Sequence, residues 1–146
     1  PEYEAAPDIR RFANGTPPIL SLRALSGALD VVDAVDMSAV EAKARALGHL
    51  VLSRTSELGL PTISPKGEAR RGGHVSVTHA SGYEIVQALI ARNIIADFRA
   101  PNTIRFGVAP LYLSFAQVWD AMDALSDILK TRSYEDNQYS VRAAVT

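Results

Sequence analysis

The sequence contains no cysteine, which excludes disulfide bridges, thiolate nucleophiles and cysteine metal sites. It therefore cannot be a secreted disulfide scaffold, and it is compatible with the reducing cytoplasm. It also lacks an excess of charge of one sign, because 15 Lys and Arg stand against 16 Asp and Glu. Without a basic surplus to attract a phosphate backbone, we expect no nucleic acid partner. No run of about 18 apolar residues occurs, so we expect no membrane-spanning helix.

The start of the chain lacks the features of a targeting segment. Residues 1–15 (PEYEAAPDIRRFANG) are polar and have no apolar core, so they do not have the pattern of a signal peptide. The chain begins at Pro1 and not at a methionine, which predicts a piece of a longer protein. What is present is ordinary for a globular protein: 146 residues, 47% hydrophobic and 21% charged.

The spacing of apolar residues predicts an α+β fold with the element order ααβαββα. Three short strands should form a small, mainly antiparallel sheet with helices on one face. The predicted elements are helices over 17–35 and 38–58, a strand over 74–79, a helix over 82–93, strands over 94–98 and 103–108, and a helix over 115–129. Residues 132–146 are polar, and we expect a loosely held tail.

Three helix starts carry the pattern of a capping box, in which a serine is followed three residues later by Glu or Gln. The pairs are Ser38 with Glu41, Ser81 with Glu84, and Ser114 with Gln117. Each pair predicts that the serine side chain accepts a hydrogen bond at the start of its helix.

The first segment that could carry chemistry is Asn14-Gly15-Thr16-Pro17-Pro18. A threonine before proline at a helix start is typical of an N-cap, and the pattern alone favours that interpretation. The alternative is a phosphate contact, because the positive end of a helix dipole attracts anions. Since two prolines remove two backbone N–H groups, such a contact would depend on the Thr16 hydroxyl and the dipole.

The second segment is the strand 103–108, where Arg105 lies on the opposite face from the apolar residues. Its neighbours on that face, Thr103 and Gly107, are small and leave the guanidinium free to reach outward. Arginine binds carboxylates through two parallel hydrogen bonds, which makes Arg105 a candidate ligand for an acidic substrate. The alternative is an exposed arginine or a structural ion pair with an acid such as Asp97, and the pattern alone favours that alternative.

The third segment contains Arg70, Arg71, His74 and His79. The two histidines are five residues apart on a strand and should face opposite sides, so we expect no metal site. None of the lysines is predicted to lie in an apolar pocket suited to Schiff-base chemistry; they are Lys43, Lys66 and Lys130.

These segments resemble the C-terminal part of the kynureninase family, from about Ile9 to the last residue. The strongest stretch is Ile104–Tyr112 (IRFGVAPLY), followed by Phe115 and Val118–Ala121. The other stretches are Arg11–Leu20 (RFANGTPPIL), Arg71-Gly72 leading into His74–His79, Gly82–Glu84, Ala88–Ile90 and Asp97–Pro101.

The resemblance implies the small C-terminal domain of a pyridoxal-phosphate enzyme of fold type I, the aspartate-aminotransferase fold group. It implies hydrolysis of the carbon–carbon bond of L-kynurenine, or of its 3-hydroxy form, to anthranilate and L-alanine. That reaction belongs to the kynurenine pathway of tryptophan catabolism, which leads to NAD biosynthesis. The cofactor implied is pyridoxal 5′-phosphate, and the implied assembly is a cytoplasmic homodimer with a shared active site.

Carried over residue by residue, the resemblance implies that Arg105 binds the α-carboxylate of the substrate. It implies that Thr16 contributes to the cofactor-phosphate site of the neighbouring subunit, and that Gly15, with Thr16, lines the substrate-ring end of the site. The Schiff-base lysine, the aspartate at the pyridine nitrogen and the ring-stacking aromatic precede Pro1 in the family. We therefore expect no catalytic residue and no metal ligand in this chain, and no turnover by the chain alone.

The family frame predicts three regions: residues 1–35 as a lead-in with an interface or linking helix, 36–132 as the small domain, and 133–146 as a tail. Two other hypotheses stay open. One is the small domain of another fold type I enzyme, such as a cysteine desulfurase or an aminotransferase. The other is a non-catalytic dimerisation module, in which Arg105 has no role.

Overall fold

The computed structural model describes residues 4–141, and their element order confirms the predicted ααβαββα arrangement. The helices and strands are α1 (Ile19–Asp33), α2 (Met37–Glu57), β1 (His74–Thr78), α3 (Gly82–Ile90), β2 (Asp97–Arg99), β3 (Thr103–Gly107) and α4 (Phe115–Thr131). The contacts divide the chain into two compact units, residues 1–37 and residues 38–146. None of the helices within residues 4–141 is long and apolar enough to cross a membrane.

The sheet of the second unit is antiparallel throughout, in the order β1-β3-β2. Strand alternation places Ile104 and Phe106 of β3 on the same face as Val75 and Val77 of β1, and all four are buried. The core therefore lies on one face of the sheet, as the sequence predicts, and the alternate residues of β3 lie on the opposite face.

Helices α2, α3 and α4 supply most of the rest of this core through their apolar stripes. Burying each large aliphatic side chain contributes about 1.5–3 kcal/mol. The fully buried members contributed by these helices are Leu47, Val51, Ile85, Leu89, Met122, Leu125 and Ile128. Their burial fixes the sheet from one side and leaves the other side for polar residues.

The three predicted capping boxes have different outcomes. The box of α4 is confirmed, because the Ser114 side chain accepts from the Gln117 N–H and the Gln117 side chain accepts from the Ser114 N–H. The box at Ser38 is wrong, because α2 begins at Met37 and Ser38 lies inside its first turn. Ser81 does occupy the N-cap of α3, but its side chain makes no capping hydrogen bond.

The strand predicted over 94–98 lies at Asp97–Arg99 instead. The turn after α3 takes up the difference: Asn93 has a left-handed backbone with φ of 61°, and the Ile94 N–H donates to the Leu89 carbonyl. Ile95 is consequently exposed, although its apolar character suggested a buried strand. In the observed register, Asp97 lies directly opposite Arg105.

The expectation of a loosely held tail is wrong for residues 133–139, which form two short 3-10 helices. Tyr134 is buried in the core, and its ring meets the ring of His79 edge to face at 5.6 Å. An aromatic side chain has enough apolar area to anchor an otherwise polar segment. Residues 142–146 of the predicted tail lie outside the described residues.

The first unit contains a short 3-10 helix (Ile9–Phe12) and α1, and neither element has a buried residue. The Asp8 side chain caps the short helix by accepting from the Arg10 backbone N–H. The Arg10 guanidinium, hydrogen-bonded to the same carboxylate, lowers the pKa of Asp8 below its ordinary value. These contacts are local, so they order the segment before α1 without burying it.

Candidate functional site

Arg105 lies at the middle of β3, the central strand of the sheet. Its two neighbours in the strand, Ile104 and Phe106, face the core, so the pleat places Arg105 on the polar face. Across the sheet it is directly opposite Ser76 of β1 and Asp97 of β2. Its side chain is about one-third exposed, at 35%. The guanidinium is thus mounted on a rigid strand and accessible to a ligand.

The ion pair with Asp97 that the sequence suggests as an alternative is present. The Arg105 Nε donates to Asp97 Oδ2 at 2.9 Å, and the Arg105 Nη2 donates to the same oxygen. Arg99, on the same strand as Asp97, adds a third donor to Oδ2 through its Nε at 3.1 Å. One carboxylate therefore lies between two guanidinium groups, and the cluster of three side chains keeps a net positive charge.

Gly15 and Thr16 lie before α1, in the first unit. Gly15 has φ of +81°, in the left-handed region where a side chain is strained, so the turn requires glycine. Thr16 is exposed and follows this turn directly. The two residues are neighbours in the chain, whereas Arg105 belongs to the second unit.

The interpretation of Thr16 as an N-cap is wrong, because α1 begins at Ile19 and its N-cap is Pro18, with no side-chain capping bond. The first backbone bond of the helix runs from the Leu22 N–H to the Pro18 carbonyl at 3.0 Å. Pro17 and Pro18 both precede the helix, so they do not remove the free N–H groups of its first turn. The N–H groups of Ile19, Leu20 and Ser21 therefore have no partner within the helix.

The histidine and arginine segment has local, structural contacts. The His79 Nδ1 accepts from the Ser81 N–H at 3.0 Å. The Arg71 guanidinium donates to the carbonyls of Pro65 and Lys66, and it passes so close to Gly48 that a Cβ there would lie 3.1 Å from its Nε. No group of three or more metal-ligating side chains occurs within residues 4–141.

The loop after β3 is tied to α2 by a contact that the sequence pattern did not reveal. Lys43 donates from Nζ to the Pro110 carbonyl at 2.8 Å, in a partly buried position. The bond forms because the fold brings α2 close to the loop after β3. No local sequence pattern could therefore have predicted it. The amine of Lys43 is therefore engaged, while Lys66 and Lys130 are exposed.

A cavity of about 450 Å³ lies between the turn after α3, the end of β3 and α4. Its lining includes the apolar residues Phe106, Val118 and Met122 and several polar residues, among them Arg92 and Asp120. None of the three residues expected in the site, Gly15, Thr16 and Arg105, lines it. The cavity is thus separate from the polar face that carries the arginine cluster.

Sequence comparison identifies the family to which the chain is similar. A model of the kynureninase C-terminal domain matches residues 40–125. Kynureninases of Burkholderia mallei (strain SAVP1) and Pseudomonas fluorescens are 43% and 41% identical, and each alignment covers 100% of this chain and 36% of the relative. The chain therefore spans about a third of the length of the curated relatives that it matches.

Comparison with solved structures shows the fold. A cysteine desulfurase from Thermococcus onnurineus NA1 matches with a TM-score of 0.78 and 17% identity, over 88% of this chain and 36% of that one. A NifS-like protein matches with a TM-score of 0.70 and 17% identity, over 90% of this chain and 39% of that one. At this identity the likeness concerns the small α+β architecture alone.

Proposed function

The chain belongs to the kynureninase family through its C-terminal domain, and we propose that it is the C-terminal part of an enzyme that hydrolyses L-kynurenine to anthranilate and L-alanine. The reaction breaks a carbon–carbon bond with water. The observation that carries the proposal is Arg105, whose guanidinium is about one-third exposed and is fixed on the central strand, within the stretch that the family match covers.

Arg105 has the task of holding the α-carboxylate of the substrate. A guanidinium binds a carboxylate through two parallel N–H···O bonds, which fixes orientation as well as position. The net positive charge of the cluster with Asp97 and Arg99 supports binding of an anion on this face. Ile104 and Phe106 anchor the strand in the core, so the arginine keeps its position when the substrate binds.

The cofactor of this proposal is pyridoxal 5′-phosphate, which supplies an electron sink for cleavage next to the substrate amine. The segment before α1 fits its phosphate, because Thr16 offers an exposed hydroxyl and the first turn of α1 offers free N–H groups at the positive end of its dipole. Gly15 places no side chain beside them, which suits the approach of the substrate ring.

The rest of the longer protein supplies the Schiff-base lysine in this proposal. Lys43 is engaged with the Pro110 carbonyl, and Lys66 and Lys130 are exposed, so none of the three has the buried setting that activates an amine. We propose that the chain alone is inactive and that the complete protein is a cytoplasmic homodimer whose subunits share their active sites, with Thr16 reaching the partner's cofactor phosphate.

The test is anthranilate fluorescence on addition of L-kynurenine and pyridoxal phosphate to the complete gene product and, separately, to this chain. Signal from the complete product alone is the expected result. Signal from this chain alone would contradict the assignment of the lysine to the rest of the protein. A complete product that binds the cofactor and releases no anthranilate would overturn the reaction and favour another enzyme of the same fold group.

The role of Arg105 is tested by Arg105→Ala in the complete protein. We expect a loss of about 2–4 kcal/mol of transition-state binding, about 30- to 700-fold in kcat/KM, mostly as an increase in KM. Arg92→Ala is the matched control, because Arg92 has a similar exposure and pairs with Asp127 at 2.8 Å. Equal kcat/KM for wild type and Arg105→Ala would remove Arg105 from the site.

The role of Thr16 is tested by retention of the cofactor. Thr16→Ala should raise the dissociation constant of pyridoxal phosphate, because one donor to the phosphate is lost. Ser21→Ala is the matched control, since it removes a hydroxyl from the first turn of α1 and leaves the backbone N–H groups in place. Unchanged retention in Thr16→Ala would exclude the hydroxyl from the phosphate site.

A further inference from the structure

The contact between Asp97 and Arg105 uses one particular edge of the guanidinium. A guanidinium has a side edge, formed by Nε and Nη2, and an end, formed by Nη1 and Nη2, and each can hold a carboxylate. Asp97 Oδ2 accepts from Nε and Nη2, so it occupies the side edge. The Arg105 Nη1 donates no hydrogen bond to any of the residues that the structure describes. The end of the guanidinium therefore stays available for a second carboxylate.

The sheet fixes the position of Asp97 in this contact. Asp97 and Arg105 are direct partners on adjacent antiparallel strands, and their side chains share the polar face. On the core face, Phe98 lies opposite Ile104, and these two residues hold the strands in register. Asp97 is thus a fixed acceptor that determines the plane in which the Arg105 guanidinium lies.

The charge of Arg99 explains how a carboxylate can adjoin an anion site without repelling the anion. Arg99 Nε donates to the same Asp97 oxygen, so the negative charge of Asp97 is compensated by a second guanidinium. Arg99 is the more exposed of the two arginines, at 62% against 35%, and it faces solvent. The positive charge of Arg105 therefore remains uncompensated, and the Nη1–Nη2 end of its guanidinium is available to an anion.

We propose that Asp97 is a positioning residue, which holds the Arg105 guanidinium by its side edge so that the Nη1–Nη2 end is presented to the α-carboxylate of the substrate. A free arginine side chain samples many rotamers and loses that freedom on binding. An arginine already held in the bound orientation loses less, so the affinity for the carboxylate increases. This inference rests on the proposed function of Arg105.

The experiment compares two ligands that differ only in the α-carboxylate, in the complete gene product loaded with pyridoxal phosphate. The first is L-kynurenine, measured by KM and kcat for anthranilate release. The second is the amine that corresponds to L-kynurenine without its carboxylate, measured by its inhibition constant. The variants are Asp97→Asn, which keeps the size and removes the charge, and Asp97→Glu, which keeps the charge and moves it. Asp123→Asn is the control, because Asp123 of α4 forms a comparable ion pair with Arg54 of α2.

For Asp97→Asn we expect a roughly tenfold higher KM for L-kynurenine, a smaller change in kcat and an unchanged inhibition constant for the amine. The size of the KM effect follows that of hydrogen-bond partners that orient the ligating residues of metal sites. Asp97→Glu should be intermediate and Asp123→Asn should equal wild type. In an Arg105→Ala background, Asp97→Asn should have no further effect, because the group that it positions is gone. A general loss of structure would weaken the binding of both ligands. The decisive quantity is therefore the ratio of the KM for L-kynurenine to the inhibition constant for the amine.

Two other results would overturn the inference in distinguishable ways. If wild type turns over L-kynurenine and the ratio is unchanged in Asp97→Asn, or KM falls, then Asp97 is neutral or competes with the substrate, and the proposed function stands. If wild type does not turn over L-kynurenine, the proposed function fails and the inference fails with it. If Asp97→Asn does not fold, Asp97→Glu decides the question: a ratio equal to that of wild type overturns the inference.

Discussion

Helices α1 and α4 have similar patterns of apolar residues but differ in how far those residues are buried. They have 15 and 17 residues, and apolar side chains recur at three- and four-residue spacing in both. In α4 the stripe includes Leu125 at 0% exposure, whereas in α1 the corresponding Leu25 is 53% exposed and no residue is buried. The spacing thus predicts a helix in each unit, but it does not identify the surface that covers the apolar side.

The largest expected difference between the two helices is the effect of removing an apolar side chain. Leu125→Ala should lower the free energy of unfolding by about 2–5 kcal/mol, because it leaves a cavity in a packed core. Leu25→Ala should change it by less than about 0.5 kcal/mol. Urea denaturation followed by fluorescence of the single tryptophan, Trp119 on α4, measures both. Similar losses in the two variants would mean that α1 is covered in solution.

The glycines of the two units should respond to alanine with opposite signs. A Cβ at Gly82, the first residue of α3, would lie 3.0 Å from the Asn102 carbonyl oxygen, so Gly82→Ala should destabilise by about 1–3 kcal/mol. Gly27, inside α1, has open space around it, so Gly27→Ala should stabilise the helix by about 0.5–1 kcal/mol. Thermal unfolding followed by circular dichroism measures both, and a loss at Gly27 would indicate a close neighbour there.

The N-cap serines of α4 and α3 differ in whether their side chains make a capping hydrogen bond. Ser114→Ala should cost about 1 kcal/mol, because its side chain accepts the Gln117 N–H at 3.1 Å. Ser81→Ala should cost a few tenths of a kcal/mol at most, since its side chain makes no capping bond. The same denaturation experiment tests this, and equal costs would contradict the distinction between the two caps.

The smallest expected effect is the pH dependence that Asp8 gives to the stability of the first unit. Because the pKa of Asp8 is lowered in the folded segment, its contribution is present above the ordinary aspartate pKa and is lost as the pH falls through the lowered value. The side chain is exposed to solvent, so the effect on stability should be slight. NMR titration of the carboxyl carbon measures it directly. Arg10→Ala should return the pKa towards its ordinary value, and an unchanged pKa would exclude Arg10 as the cause.

The element order and the composition of the core could be predicted from the sequence, because alternation and helical spacing reflect burial directly. Ile104 and Phe106 indicate a strand face, and Leu125 indicates a helix stripe. Element ends were less predictable, because they depend on single backbone choices. The left-handed Asn93 moves the start of β2 past Ile95, and α2 begins one residue before the serine expected to cap it.

The candidate site was predictable in its residues and only partly in its arrangement. Strand alternation places Arg105 on the polar face, and the sequence names Asp97 as a possible partner. The edge of the guanidinium that Asp97 occupies depends on the strand register, which pairs Asp97 with Arg105. The start of α1 after two prolines also changes which N–H groups are free near Thr16, and a local pattern could not decide between the two starts.

The buried ring of Tyr134 has a practical consequence for anyone who subdivides this protein. The match to the family model ends at residue 125, in the middle of α4, whereas the physical core continues through Ile128 to Tyr134. A truncation at residue 125, where the family-model match ends, would cut α4 and remove the buried side chains of Ile128 and Tyr134. The smallest foldable piece is therefore defined by packing: it has to extend to at least Tyr139, which packs against the same core.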